Sequence, residues 1–78
     1  MALVVEFTVE PFSEGAPGPH VTAAVDAARA AGLDVEFGPF GSSIKGESGT
    51  VLDAVSAVLR AAVEAGATRI SMQLTRAE

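Results

Sequence analysis

The stretch Pro39-Phe40-Gly41-Ser42-Ser43-Ile44-Lys45-Gly46-Glu47 concentrates side chains that can contact a small molecule. Two short apolar runs meet there at a Pro-Phe-Gly-Ser turn. Pro and Gly punctuate a backbone and Ser bonds back to it, so a tight reversal between two strands follows. A simple hairpin requires neither the polar cluster nor the aromatic ring. The hydroxyls of Ser42, Ser43 and Thr8 are suited to fix the polar edge of a ligand. Phe12 and Phe40 fall outside any buried alternation, so they either pack over the edge of the core or clamp a flat ring. Glu6 and Glu10 can offset positive charge, and Lys45 brings an ammonium beside them. His20 is the one candidate for a general base. The sequence offers no Ser-His-Asp ordering, no carboxylate pair with distinct acid and base roles, and no phosphate loop. These residue types point to binding rather than to chemistry.

Composition narrows the field further. At 78 residues the chain reads as one domain, 1–78, able to bury only about 60% of its unfolded surface. It is 49% hydrophobic and 19% charged, which is a globular composition. Much of the apolar content is Ala and Val, with four Phe and neither Trp nor Tyr. Such a core is thin, and association between copies would help it. The absence of Cys excludes disulfides, thiolate metal sites and a Cys nucleophile. A single His cannot build a multi-histidine metal centre, and neither a metal nor a cofactor is expected. No apolar run approaches the roughly 20 residues that span a bilayer, and no basic stretch with a cleavage pattern opens the chain. A cytoplasmic protein without a membrane partner is the expectation. The net charge of −5, with five Lys and Arg, argues against nucleic acid. It suits a cationic ligand, although solubility accounts for an acidic balance equally well.

The elements that must position these residues follow from periodicity. Leu3, Val5, Phe7 and Val9 alternate with Val4, Glu6, Thr8 and Glu10, the period of a half-buried strand that Pro11 ends. After a Pro/Gly/Ser-rich loop, Pro19 suits the first turn of a helix. Val21, Ala24, Val25 and Ala28 form its apolar stripe, and Gly32 is placed to end it. Leu33, Val35 and Phe37 give a second strand, and Ser43 to Glu47 a third with Ile44 inward. Thr50 and Asp53 predict a capping-box-like start to a second helix. Its stripe is Val51, Leu52, Val55, Val58, Leu59, Ala62 and Val63, and Gly66 closes it. Ile70, Met72 and Leu74 mark the last strand. Strand, helix, strand, strand, helix, strand is the α+β, ferredoxin-like sandwich. Right-handed crossovers put both helices on one face of an antiparallel sheet of order 4-1-3-2. The helix-free face then carries Val4, Glu6, Thr8, Glu10, Asp34, Glu36, Ser43, Lys45, Glu47, Arg69, Ser71, Gln73 and Thr75, with Glu6 and Lys45 paired across central strands. Glu10, Phe12, His20, Phe40, Ser42, Ser43 and Arg69 gather at one rim, with His20 exposed.

With these elements in place, the chain resembles the small thiamine-binding, YkoF-like family of ferredoxin-like domains over nearly its whole length. The resemblance lies in the opening strand Val4-Val5-Glu6-Phe7-Thr8-Val9-Glu10-Pro11 and in Ala30-Ala31-Gly32-Leu33. Gly38-Pro39-Phe40-Gly41-Ser42-Ser43-Ile44-Lys45-Gly46-Glu47 is similar to the family's Pro-Met-Gly-Thr-x-Ile-Glu-Gly pattern, and Gly66-Ala67-Thr68-Arg69-Ile70-Ser71 to its approach to the last strand. Phe40 stands at the motif's Met and Ser42 at its Thr. Lys45 stands where the pattern has Glu. A carboxylate there would accept from an aminopyrimidine or attract a thiazolium, whereas an ammonium repels a cation.

The resemblance implies a non-enzymatic protein that binds thiamine or its hydroxymethylpyrimidine part and assembles into dimers or tetramers. The expected ligand contacts are Glu6, Thr8, Glu10, Phe12, Phe40, Ser42, Ser43 and Lys45. The alternative is a structural or regulatory module that self-associates through its open sheet face. A small enzyme using His20 as base stands behind both.

Overall fold

The computed structural model describes residues 1–11, 18–38 and 41–77. Its elements are β1 (Ala2–Glu10), α1 (Pro19–Ala30), β2 (Val35–Gly38), β3 (Gly41–Glu47), α2 (Ser48–Glu64) and β4 (Arg69–Arg76). They form one four-stranded sheet of order β2-β3-β1-β4 with every pairing antiparallel. This is the ferredoxin-like βαββαβ fold, with β1 and β3 central as the periodicity predicts.

Strict alternation decides which face of β1 is buried. Leu3, Val5, Phe7 and Val9 point into the core, where Ile44 from β3 meets them. Helix α1 adds Val21, Ala24 and Ala28, and α2 adds Val51, Ala54, Val58 and Ala62. Most of these side chains are Ala or Val, so the layer between helices and sheet is thin and backbones approach closely. Pro19 opens α1 at a position where its missing N–H costs nothing. Gly32 and Gly66 follow the two helices at φ values of +91° and +104°, where a Cβ would be strained. Just after Gly66, the Thr68 N–H donates to the Glu10 carbonyl at 2.7 Å, fixing where β4 starts against β1.

Helix α2 departs from the sequence reading in two ways. Its cap is Glu47, not the Thr50–Asp53 pair. The Glu47 carboxylate accepts from the Gly49 N–H at 2.9 Å and from the Ser48 hydroxyl at 3.0 Å. The strand therefore runs directly into the helix, and Thr50 already lies inside it. The broad apolar stripe is also divided. Val51, Ala54, Val58 and Ala62 are buried, whereas Leu52, Leu59 and Val63 are exposed at 53%, 39% and 61%. Two Ala and two Val face the thin core, and both Leu with Val63 are left outside. Leu52, half-buried Val55, Leu59 and Val63 recur at i, i+3, i+7 and i+11, which aligns them along one flank of the helix.

The cap gives a pH-dependent expectation. The Ser48 hydroxyl, and after it the Gly49 N–H, hold the Glu47 carboxyl below its ordinary value. A depressed folded-state pKa contributes stability that is present above the unfolded value and lost as pH falls through the folded one. Glu47→Ala should therefore melt below the wild-type protein at neutral pH. The gap should close as the pH drops through the acidic carboxylate range. Melting curves of both proteins across that range test it, and a gap independent of pH would mean that the charge does not act at the cap.

Candidate functional site

Register sorts the candidate residues between two faces. Glu6 lies opposite Ser43 on one side and Gln73 on the other, and Thr8 opposite Ser71. Side chains alternate across a strand, so these five share the helix-free face. Ser42 belongs to the other face. It lies opposite Phe7 and Phe37 and is only 6% exposed. The serine read as part of the turn is a strand residue turned toward the helix side, so of the two hydroxyls only Ser43 projects from the open face.

A cleft of about 380 Å³ opens where the C-terminal halves of β1 and β2 meet the starts of β3 and β4. Glu6, Thr8, Ser43, Ser71 and Gln73 line it together with Phe7, Ser42, Met72 and the two glycines Gly38 and Gly41. That volume falls within the range of small-molecule clefts, about 300–1,000 Å³. Hydroxyls, one primary amide and one carboxylate supply directional groups above an apolar base. Among the described residues, Glu6 is the one titratable side chain in this lining. Ser71 and Gln73 enter the cleft although their sequence signal placed them only on the sheet face. The β1–β4 register, which alternation alone does not fix, brings them beside Thr8 and Glu6.

Gly41 allows the cleft to form. Its φ is +146°, and a Cβ there would lie 2.8 Å from the Phe7 carbonyl oxygen and 2.9 Å from Thr8 Cγ2. Only a residue without a side chain lets β3 start this close to β1.

The remaining candidates are placed differently. Glu10 sits at the rim opposite Arg69, and Arg69 Nε approaches its Oε2 at 3.7 Å. Both side chains are well exposed, so this pair contributes about 0–1 kcal/mol at most. Lys45 lies on the open face opposite Val4 and is exposed. The direct Glu6–Lys45 pair expected from sequence is thus not made. The two are diagonal neighbours, whose Cα atoms typically lie about 7–8 Å apart. Phe12 and Phe40 lie outside the described residues. His20, expected at the surface, is 8% exposed, and its Nε2 hydrogen-bonds with the Pro11 carbonyl. It joins the first turn of α1 to the end of β1, which is a structural use of the ring. No group of three or more potential metal ligands occurs among the described residues, and no helix among them is long and apolar enough to cross a membrane.

An open-faced ferredoxin-like domain with a polar cleft at the sheet's end is the class that fold and site define. The family model of thiamine-binding proteins matches residues 5–76, and the chain belongs to that family. Among curated proteins no match is found. Solved structures share the fold. A domain of unknown function, DUF77, from Bacillus cereus superposes with a TM-score of 0.68 at 24% identity, over 95% of this chain and 72% of its own. A hypothetical protein of Methanocaldococcus jannascii gives 0.69 at 21% identity, over 95% and 76%. A candidate thiamine biosynthesis or salvage protein of Thermotoga maritima gives 0.56 at 24% identity, over 96% and 81%.

Proposed function

We propose that this chain is a non-enzymatic, cytoplasmic binding protein for thiamine or a related hydroxymethylpyrimidine-type molecule, and that it works as a homo-oligomer. The observation that carries the reading is the cleft of about 380 Å³ in which Glu6 is the one titratable side chain among the described residues, in a chain of the thiamine-binding family. A carboxylate flanked by neutral hydroxyls and an amide matches a cation that also bears hydrogen-bonding ring atoms. Thr8, Ser43, Ser71 and Gln73 hold the polar edge, and the acidic balance of the chain favours a positively charged guest. Among the described residues the lining holds no nucleophile joined to a base, the arrangement that covalent catalysis uses. His20 is unsuited to act as a base because its ring is buried and its Nε2 is engaged by Pro11.

Self-association has its own support. The core is thin, one sheet face is uncovered, and Leu52, Leu59 and Val63 leave an apolar flank on α2. Burying such a flank against a second copy gains about 25 cal/mol for each Å² of apolar surface removed from water. Light scattering at micromolar concentration should give the mass of a dimer or tetramer, and Leu59→Glu should lower it. A monomer in both cases removes the oligomer from the proposal.

Isothermal calorimetry against thiamine and hydroxymethylpyrimidine tests the binding. Saturable heat at micromolar to millimolar ligand supports the reading. If neither compound binds at millimolar concentration, the ligand reading fails and the self-associating module takes its place.

A further inference from the structure

Lys45 is not used by the cleft as described so far. It projects from the same open face as Glu6 and Ser43, two residues beyond Ser43 along β3. Among the described residues it makes no ion pair. The acidic groups around it are Glu6 on the diagonal of β1, Glu36 on the matching diagonal of β2, Asp34 just before β2, and Glu47 two residues further along β3. Glu47 is occupied by the cap of α2. Arg69, a second cation on this face, is held at Glu10 by their ion pair. Glu6 and Glu36, both opposite Ser43, therefore share this face with one ammonium, each offset from it by a diagonal register step that typically separates Cα atoms by about 7–8 Å. Of the two, Glu6 is the one in the cleft's described lining. The ammonium of a lysine sits on a four-carbon stem and can lean over the neighbouring positions.

That offset is complementary to a ligand with charge at both ends. We propose that the cleft takes the phosphorylated form of its cationic heteroaromatic ligand, with Glu6 facing the ring cation and Lys45 anchoring the phosphate. The inference rests on the proposed thiamine reading and specifies which form of the ligand is taken. An ammonium near a bare cationic ligand opposes binding. The same ammonium beside a phosphate ester makes a charge-assisted hydrogen bond. Lys45 is then the residue that sets the preference between the two forms.

Calorimetry at low salt with thiamine, thiamine monophosphate and thiamine diphosphate decides it, using the wild-type protein, Lys45→Gln and Lys45→Arg. The wild type is expected to bind the monophosphate about tenfold tighter than thiamine, the lower end of what a hydrogen bond to a charged group gives, because Lys45 is exposed. Lys45→Gln should bring that ratio close to one by weakening the phosphate esters while thiamine holds or tightens. Lys45→Arg should restore the ratio. Equal binding of thiamine and its esters by the wild type overturns the inference and leaves thiamine binding intact, as does a ratio that Lys45→Gln leaves unchanged. If no form binds at millimolar concentration, the inference falls together with the underlying ligand reading. Circular dichroism of each variant confirms that an altered ratio comes from a folded protein.

Discussion

Gly41→Ala is expected to cost about 2–5 kcal/mol of folding stability and to abolish binding in the cleft. Two effects add at this position. A side chain at φ +146° is strained in itself, at about 1–2 kcal/mol. The new Cβ would also sit 2.8 Å from the Phe7 carbonyl oxygen. That oxygen belongs to the backbone of the central strand β1, so it cannot swing away as a flexible side chain would. Displacing it costs about 1–3 kcal/mol as overpacking does elsewhere. For a domain of this size each kcal/mol lowers the melting temperature by roughly 4–8 °C. Gly32→Ala is the control, since Gly32 also has positive φ but nothing within 4 Å of its Cβ position. It should lose only the strain contribution, about 1–2 kcal/mol. Thermal or urea melts of both variants measure the difference. Equal losses would mean that the contact with β1 contributes nothing and that only the backbone conformation requires glycine at Gly41.

The contrast between those two glycines shows where sequence reading reaches and where it stops. Gly32 is legible because it follows an apolar stripe of helical period, and that position alone marks a helix end. The role of Gly41 depends on how close β3 comes to β1, which no local pattern records. The same division runs through the rest of the molecule. Leu3, Val5, Phe7 and Val9 reveal their face by alternation, and the order of elements leads to the sheet order. Register is a tertiary quantity, so Glu6 meets Ser43 and Gln73 instead of Lys45. Ser42 and Ser43 look equivalent in sequence, yet the start of β3 at Gly41 sends one hydroxyl to each face. His20 read as a surface residue because nothing local announces that its Nε2 will meet the Pro11 carbonyl. On α2 the stripe of Val51, Leu52, Val55, Val58, Leu59, Ala62 and Val63 is wider than the helix can bury against a thin layer. Which half turns inward was settled by the small residues Ala54 and Ala62, which allow the closest approach.

Glu6→Lys should reduce thiamine affinity by about a hundredfold or more, and Glu6→Gln by about tenfold, with little change in stability. Glu6 is exposed on the open face and makes no ion pair among the described residues. Surface substitutions of that kind usually stay within about 0.5 kcal/mol of the parent. Its effect on a bound cation is larger. Two unit charges about 4 Å apart at an effective dielectric near 20 interact by roughly 4 kcal/mol before desolvation is subtracted. In a cleft open to water, neutralising the carboxylate should leave a net loss near 1–2 kcal/mol, and reversing it about twice that. Both losses should shrink with added salt, because solvent-exposed charges are screened. Hydroxymethylpyrimidine separates the two ways in which Glu6 can act. If the carboxylate works through charge, this neutral fragment should bind Glu6→Gln nearly as well as the wild type, while thiamine loses its tenfold. If the carboxylate instead accepts a hydrogen bond from the aminopyrimidine, both compounds should lose affinity together, and the loss should be insensitive to salt. Calorimetry on the three proteins with both ligands at two salt concentrations distinguishes these outcomes. Unchanged affinity for both ligands in Glu6→Lys would place the binding site away from this cleft altogether.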